Sequence, residues 1–472
     1  MVGTVTKLVA GLMVLPLITS LIYKESCASA FVISIVIALV IGFGICLIFK
    51  PGTKVIYARE GFVVVALAWI VLSLIGALPF YISREIPSYI DAFFETVSGF
   101  TTTGASILTD VESMSKGLLF WRSFTHWIGG MGVLVFILAI VPSVSDRTIH
   151  ILKAESPGPI VGKLVPKMKQ TARILYIIYI VLTVVQIVLL LLGGMPVFDS
   201  LIHTFGTAGT GGFGIKADSI AGYSPYLQWV ITIFMLIFGV NFNLYYLFLI
   251  KKYKTALKSE ELRAYILIFL VSTVAIMINI MPIGGSFSES LRLAAFQVSS
   301  IVTTTGFSTT DFNTWPTFSK TILLLLMFIG SCAGSTAGGF KVSRVVLLLK
   351  KVKIELQKML HPRSVANVRF EGKKIDNATI SSVSSYLVMY TLLFCIFVFL
   401  LGFDKFDLES NISAVASCFN NIGPALGTAG PASSYAMFSP FSKILLSLAM
   451  LLGRLEILPI ILTFSPTTWK KK

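Results

Sequence analysis

The sequence predicts an all-α polytopic membrane protein: four pseudo-symmetric helix–pore-loop–helix repeats around a central pore, preceded by an N-terminal two-helix extension. Three observations predict it. Apolar runs near 20 residues recur along a chain that is 55% hydrophobic and 13% charged, where soluble proteins carry about 25% charged residues. Four shorter apolar segments each end in a polar, glycine-containing run. Lysine and arginine collect in alternate connections only. The apolar runs do not alternate with polar residues, which excludes a β-barrel reading.

In chain order the spans are expected at 4–22, 30–49, 60–82, 117–141, 171–195, 224–250, 262–282, 318–349, 383–403 and 440–464. Lys7, the apolar stretch to Ile22 and Ala28-Ser29-Ala30 imitate a cleavable signal, but a second apolar run starts at Phe31, and a retained helix is expected. The first two spans form the extension, 1–50. The repeats follow as 51–150, 151–258, 259–370 with an intramembrane loop at 330–340, and 371–472.

Most of the 38 basic residues lie in the connections 50–59, 147–173, 251–263 and 341–374 and in the tail Lys470-Lys471-Lys472. The positive-inside rule makes that side cytoplasmic, and an even helix count puts both termini there. The formal charge of +16 is thus a topology signal and not a nucleic-acid surface. The opposite connections, 83–116, 196–223, 283–317 and 404–439, each hold a half-length apolar segment. About 10 residues cannot cross a core near 30 Å thick, so each segment enters and returns.

The half-length segments end in Ser98-Gly99-Phe100-Thr101-Thr102-Thr103-Gly104, Gly209-Thr210-Gly211-Gly212-Phe213, Thr303-Thr304-Thr305-Gly306-Phe307 and Asn420-Asn421-Ile422-Gly423. The repeat is roughly 110 residues long. Four such loops suit a cation pore. A ring of backbone carbonyls replaces the ion's water without a fixed anion. Glycine permits the backbone conformations needed, and threonine supplies a stiff side chain to pack behind it. The filter set is Thr101, Thr102, Thr103, Gly104, Thr210, Gly211, Gly212, Thr303, Thr304, Thr305, Gly306, Asn421, Ile422 and Gly423. Potassium is expected at the backbone of Thr102, Thr103, Gly211, Thr304, Thr305 and Ile422.

Asp91, Asp199, Ser290 and Ser410 are expected to cap the half-helices, whose negative C-terminal ends then face the pore centre. Asp110, Asp218 and Asp311 follow the loop glycines; they are either carboxylates at an outer mouth or solvated loop residues. The apolar run 318–349 is interrupted by Gly330-Ser331-Cys332-Ala333-Gly334-Ser335-Thr336-Ala337-Gly338-Gly339, too glycine-rich for helix. Arg454 sits mid-run in the last span, where a cation is costly and usually functional. Facing the pore, it would repel cations and bond loop carbonyls or the hydroxyls of Ser335 and Thr336; the alternative is a structural pair with Glu456. The expected two-part gate is Gly334, Ser335, Thr336, Gly338 and Gly339 with Arg454.

Other classes find no support in the residues. The five cysteines and four histidines form no metal-ligand spacing, and no Walker motif or nucleophile–base grouping occurs. No enzyme activity and no bound cofactor are expected. The alternative is a secondary, proton- or sodium-coupled cation transporter with low potassium/sodium selectivity; repeats that all enter from outside argue against the inverted repeats common there.

The motifs above, with Trp127-Ile128-Gly129-Gly130-Met131-Gly132, Ala154-Glu155-Ser156-Pro157-Gly158-Pro159 and Gly453-Arg454-Leu455-Glu456, are similar to those of the Trk/Ktr/HKT superfamily of potassium uptake proteins. The whole chain, extension included, resembles the TrkH subfamily. The resemblance implies potassium uptake in a bacterial cytoplasmic (inner) membrane, a homodimer with one pore per protomer, contacts with membrane lipid, and a cytosolic TrkA-type nucleotide-binding (RCK) subunit that gates the pore. It implies that the glycine-rich loop lies beneath the filter and that Arg454 is a barrier. In related plant transporters a serine at the first filter glycine goes with sodium permeation; all four positions here are glycine. The fourth loop, Asn420-Asn421-Ile422-Gly423-Pro424, departs from the threonine-rich pattern.

Overall fold

The computed structural model of the protein describes residues 1–48, 58–132, 168–364 and 367–469. The motif at 154–159 and the basic connections at 50–57 and 147–167 lie outside these residues. Among the described residues helices account for nearly all regular structure, joined by one antiparallel hairpin of two-residue strands, Arg369–Phe370 with Lys373–Lys374.

The extension is a helical pair, Val2–Ile22 and Ala28–Ile48. Gly3 and Gly42 let its helices touch, since a Cβ on Gly3 would lie 2.7 Å from the Gly42 carbonyl oxygen. Its connecting turn carries Glu25, whose carboxylate accepts the Lys116 and Gly117 backbone N–H groups at 2.7 and 2.9 Å. An acid at a helix N-terminus satisfies orphan donors and opposes the helix dipole. The extension is therefore fastened to the first repeat.

Each repeat has an outer helix, a half-helix and an inner helix. The outer helices are Glu60–Ile82, Met168–Leu192, Glu260–Gly284 and Asn377–Leu401. They expose large apolar side chains such as Val181, Leu267 and Phe399, as a lipid-facing belt requires. The half-helices are Tyr89–Phe100, Val197–Gly209, Phe287–Val302 and Leu408–Phe419, and they are lined with buried residues throughout their second halves.

The expected caps are one turn off. Ser88, Ser286 and Asp407 cap three of the half-helices through the backbone N–H of Asp91, Glu289 and Ser410, and the second has Pro196 at its cap position, with no side-chain cap bond. Asp91, Asp199 and Ser410 occupy the third helical position, and Ser290 the fourth. Acidic residues favour that first turn as strongly as the cap, which is why spacing alone misplaced it. Asp91 instead receives Lys443 Nζ at 2.7 Å, and Asp199 the Tyr223 hydroxyl at 2.8 Å.

The first, second and fourth inner helices are shorter than the expected spans, and the third stops at the expected interruption. Lys116–Gly130, Pro225–Phe238, Thr317–Ile329 and Pro440–Arg454 stop after 15, 14, 13 and 15 residues. The second turns by 91° into Phe242–Leu249 and the fourth by 120° into Leu458–Phe464. The third leads through a loop into Val342–Leu360. The first leaves the described residues at 133. Six described helices are long and apolar enough to cross a membrane, and the two bent pairs raise this to eight. Broken backbone at membrane depth must be paired within protein. Here Cys332 N donates to the Gly239 carbonyl at 3.1 Å and Phe242 N to the Gly334 carbonyl at 3.0 Å, so the loop of repeat 3 closes the break of repeat 2.

Candidate functional site

The four glycine loops share one backbone form. Thr102, Thr210, Thr304 and Asn421 have φ of 55°, 56°, 55° and 56°, and two residues later Gly104, Gly212, Gly306 and Gly423 have φ of 82°, 75°, 85° and 102°. A β-branched residue at positive φ is a strained outlier costing about 1–3 kcal/mol. Three threonines held so at equivalent positions mark a constraint that the rest of the fold imposes.

The loops close into a ring. A Cβ on Gly104 would lie 2.0 Å from the Gly211 carbonyl oxygen, one on Gly212 2.0 Å from that of Thr305, one on Gly306 2.1 Å from that of Ile422, and one on Gly423 2.7 Å from that of Thr103. The order 1–2–3–4–1 returns to its start. Only glycine fits at any of the four, for space as well as for φ. No donor among the described residues reaches the carbonyls of Thr103, Gly211, Thr305 or Ile422. Buried carbonyls are otherwise nearly always paired, so these four oxygens stand out as a set at the junctions of the ring.

Behind the ring, side chains brace the strands. Thr101 and Thr103 hydroxyls are 2.8 Å apart, as are those of Thr303 and Thr305. Asn421 Nδ2 donates to Thr103 Oγ1 at 3.0 Å and to the Met450 carbonyl at 2.9 Å. The asparagines of the fourth loop thus brace it where threonine hydroxyls do so in loops 1 and 3.

On one side of the ring lies a cavity of about 420 Å³, lined by the four glycines, Arg122 and Tyr435 among others. Asp110, Asp218 and Asp311 are not in its lining. Asp110 holds the backbone of Glu112 and Ser113, and Asp311 that of Asn313, so they act in turns, as solvated loop residues do. The charge at the mouth is instead a buried pair the sequence reading missed. Arg122 Nε and Glu95 Oε1 are 2.5 Å apart. Glu95 also accepts Ser106 Oγ and Ile107 N, at 3.0 and 2.9 Å; Arg122 donates to the Gly214 carbonyl at 2.9 Å. The pair ties the descending limbs of loops 1 and 2 together. Ionisable residues inside apolar segments were the available signal.

Beneath the ring, the expected gate residues come together. Gly338 N donates to Thr304 Oγ1 at 2.7 Å. Arg454 Nη1 donates to Thr102 Oγ1 at 3.1 Å and the Thr336 carbonyl at 2.8 Å; Nη2 donates to the Gly129 and Gly130 carbonyls at 2.6 and 2.7 Å. Within the loop, the bond runs to the Thr336 carbonyl and not to the hydroxyl of Ser335 or Thr336. Thr336 Oγ1 donates to the Phe238 carbonyl, and Ser335 Oγ to that of Cys332. Gly334 and Gly339 take φ of 70° and 78° at the bends of the loop. Glu456 pairs with Arg344 at 2.5 Å rather than serving as Arg454's structural partner. Two more charges were missed. Lys341, 2% exposed, donates to the carbonyls of Ala337 and Gly338, and Glu261 accepts Ala333 N and Ser343 N at 2.7 and 3.2 Å, gripping both ends of the loop. Among the described residues no group of histidine, cysteine and acidic side chains is placed to hold a metal ion.

The chain matches known proteins along its full length. A family model described as "TrkH: Cation transport protein" covers residues 28–471. The Trk system potassium uptake protein TrkG of Escherichia coli (strain K12) is 36% identical over 479 residues, covering 100% of this chain and 98% of that protein. The Trk system potassium uptake protein TrkH of Salmonella typhimurium is 36% identical over 480 residues, with the same coverage. The crystal structure of the potassium transporter TrkH from Vibrio parahaemolyticus superposes with a TM-score of 0.89 at 33% identity, covering 99% of this chain and 98% of that one. With four glycine loops ringed around one axis and these matches from end to end, the chain belongs to the TrkH family of cation transport proteins, a membrane transporter and not an enzyme.

Proposed function

We propose that the protein takes up potassium across the bacterial inner membrane, through a pore whose selectivity filter is the ring of four loops. The observation that carries this reading is the closed order of unpaired carbonyls at Thr103, Gly211, Thr305 and Ile422. Main-chain oxygens at close quarters replace an ion's hydration shell. The names of the relatives, potassium uptake proteins, support potassium as the cargo. The filter set runs over Thr101–Gly104, Thr210–Gly212, Thr303–Gly306 and Asn421–Gly423, within repeats divided near residues 50, 150, 258 and 370.

The gate is the 330–340 loop with Arg454. A guanidinium under the filter opposes a cation on the axis, and the loop's bonds to Thr304 and Arg454 hold it across the path. A cytosolic nucleotide-binding subunit moves the loop through Val342–Leu360, whose Lys353 and Lys358 are exposed. A homodimer and cytoplasmic termini complete the proposal, resting on the family resemblance and on the placement of basic residues.

The test is cation flux in proteoliposomes with potassium and sodium side by side. Wild type is expected to favour potassium, and Arg454→Ala to raise flux in the absence of the regulatory subunit. Flux of Arg454→Ala equal to wild type both with and without that subunit would overturn the gate role; equal passage of the two ions would overturn the filter.

A further inference from the structure

The residues one and three before each loop glycine are where side chains brace the filter strands. In strands 1 and 3 both are threonine, joined hydroxyl to hydroxyl at 2.8 Å, with Thr101 and Thr303 also bonded to the Val97 and Ser299 carbonyls at 2.7 and 2.6 Å. In strand 4, Asn420 receives the Tyr390 hydroxyl at 2.9 Å and donates to the Ala416 carbonyl at 2.8 Å. In strand 2 the two positions are Gly209 and Gly211. Glycine loses the most conformational freedom on ordering, so this strand has the least intrinsic reason to hold its shape.

The space is filled from another repeat. A Cβ on Gly211 would lie 2.4 Å from Cγ and Nδ1 of His126 and 2.6 Å from its Cδ2, and a Cβ on Gly209 would lie 2.2 Å from the His126 carbonyl oxygen. His126 stands on the inner helix of repeat 1 and is 0% exposed. Its ring stacks on Phe213, just beyond the loop glycine, with centroids 4.2 Å apart and planes 21° apart. Phe213 is covered on its own account by the Arg122 guanidinium, 3.5 Å from its centroid. The imidazole is thus wedged against the strand where threonine side chains stand in strands 1 and 3.

We propose that His126 is the positioning residue of the second filter strand, its imidazole standing in for the paired threonine side chains and thereby setting the potassium/sodium discrimination of the ring. This rests on the filter reading above. The geometry makes the relation reciprocal. All three nearest atoms to a Cβ on Gly211 belong to the His126 ring, and Gly211 is not at positive φ, so the ring is the first obstacle a threonine there meets and the backbone is not a second one.

The experiment compares wild type, His126→Ala, Gly211→Thr and the double variant in proteoliposomes, at matched protein, by the ratio of potassium to sodium flux. His126→Ala is expected to lower the ratio roughly tenfold. Gly211→Thr alone is expected to block flux, because the methyl and hydroxyl meet the imidazole. The double variant is expected to recover flux and most of the ratio. An unchanged ratio in His126→Ala, or a double variant no better than Gly211→Thr, overturns the proposal. If His126→Ala does not accumulate in the membrane, recovery of accumulation and flux in the double variant supports it and absence of recovery overturns it. A wild type without potassium preference would fault the filter reading itself, and is seen before any variant is compared.

Discussion

Thr102, Thr210, Thr304 and Asn421 show how a local strain becomes a shared geometry. Each is held at positive φ by a half-helix behind it and a neighbouring strand beside it, and none would choose that conformation alone. The glycines two positions on have no alternative. Gly104→Ala would bring a Cβ within 2.0 Å of a neighbouring carbonyl oxygen, on a backbone that L side chains rarely adopt. Loss of potassium-dependent growth in a transport-deficient host is expected, with the protein still present in the membrane. The Glu95–Arg122 pair offers a second prediction. Removing one partner of a buried ion pair leaves the other charge uncompensated, at a cost of about 3–5 kcal/mol. Glu95→Gln is therefore expected to lower the thermal midpoint of the detergent-solubilised protein clearly, whereas Lys358→Gln, whose Glu355 partner is exposed, leaves it unmoved.

At the scale of elements, half-helices and loops are held by caps and carboxylates. Asp407 caps the fourth half-helix, accepting Ser410 Oγ at 2.6 Å and Ser410 N at 3.1 Å. These bonds from Ser410 hold its carboxyl below the ordinary aspartate range. The folded state thus favours the charged form. Its stabilisation is present above the unfolded value near about 3.9 and is lost as pH falls through the depressed folded value. Asp407→Ala is expected to cost about 1 kcal/mol at neutral pH, a difference that shrinks in denaturation measured at progressively lower pH. Glu261 acts on the intramembrane loop. A carboxylate accepting backbone N–H bonds is roughly twice as strong an acceptor as a neutral group. Glu261→Gln is expected to loosen the grip on Ala333 and Ser343 and to raise basal potassium flux; a flux at or below wild type would show that Glu261 does not hold the loop shut.

For the whole molecule, sidedness is the quantity that ties charge to mechanism. Val342–Leu360 carries the exposed Lys353 and Lys358, and the positive-inside rule predicts a cytoplasmic position for it, with the glycine loops opening to the opposite side. A thiol introduced by Ser434→Cys, beside the cavity at the loop glycines, is expected to react with an impermeant maleimide in intact cells. One introduced by Lys373→Cys, in the exposed hairpin, is expected to react only after permeabilisation. Reversed labelling would invert the direction in which the loop and Arg454 lie relative to the filter.

The fourfold loop pattern, the N-terminal pair, the interrupted run at 330–340 and an arginine at 454 within an apolar run were legible in the sequence. Each is a local statement about transfer energy or glycine content that no distant residue can alter. Other features were not. The breaks after Phe238 and Arg454 are invisible to hydropathy, because both sides of each break are apolar; the Gly239 carbonyl is paired by Cys332 of the next repeat, whereas after Arg454 the Leu455 and Ile457 N–H groups donate to the Leu451 and Leu452 carbonyls of their own repeat. The half-helix caps were misread by a turn, because acidic residues serve the first turn and the cap alike. The closing order of the ring, the Arg454 bonds to Gly129 and Gly130 and the wedge of His126 against Gly211 join residues of different repeats. Sequence alone determined that four loops enter the membrane and turn on glycine. Only the tertiary structure decided which loop abuts which and what braces each, since a buried carbonyl or guanidinium is satisfied by whatever the fold brings within 3 Å or so, at any distance along the chain.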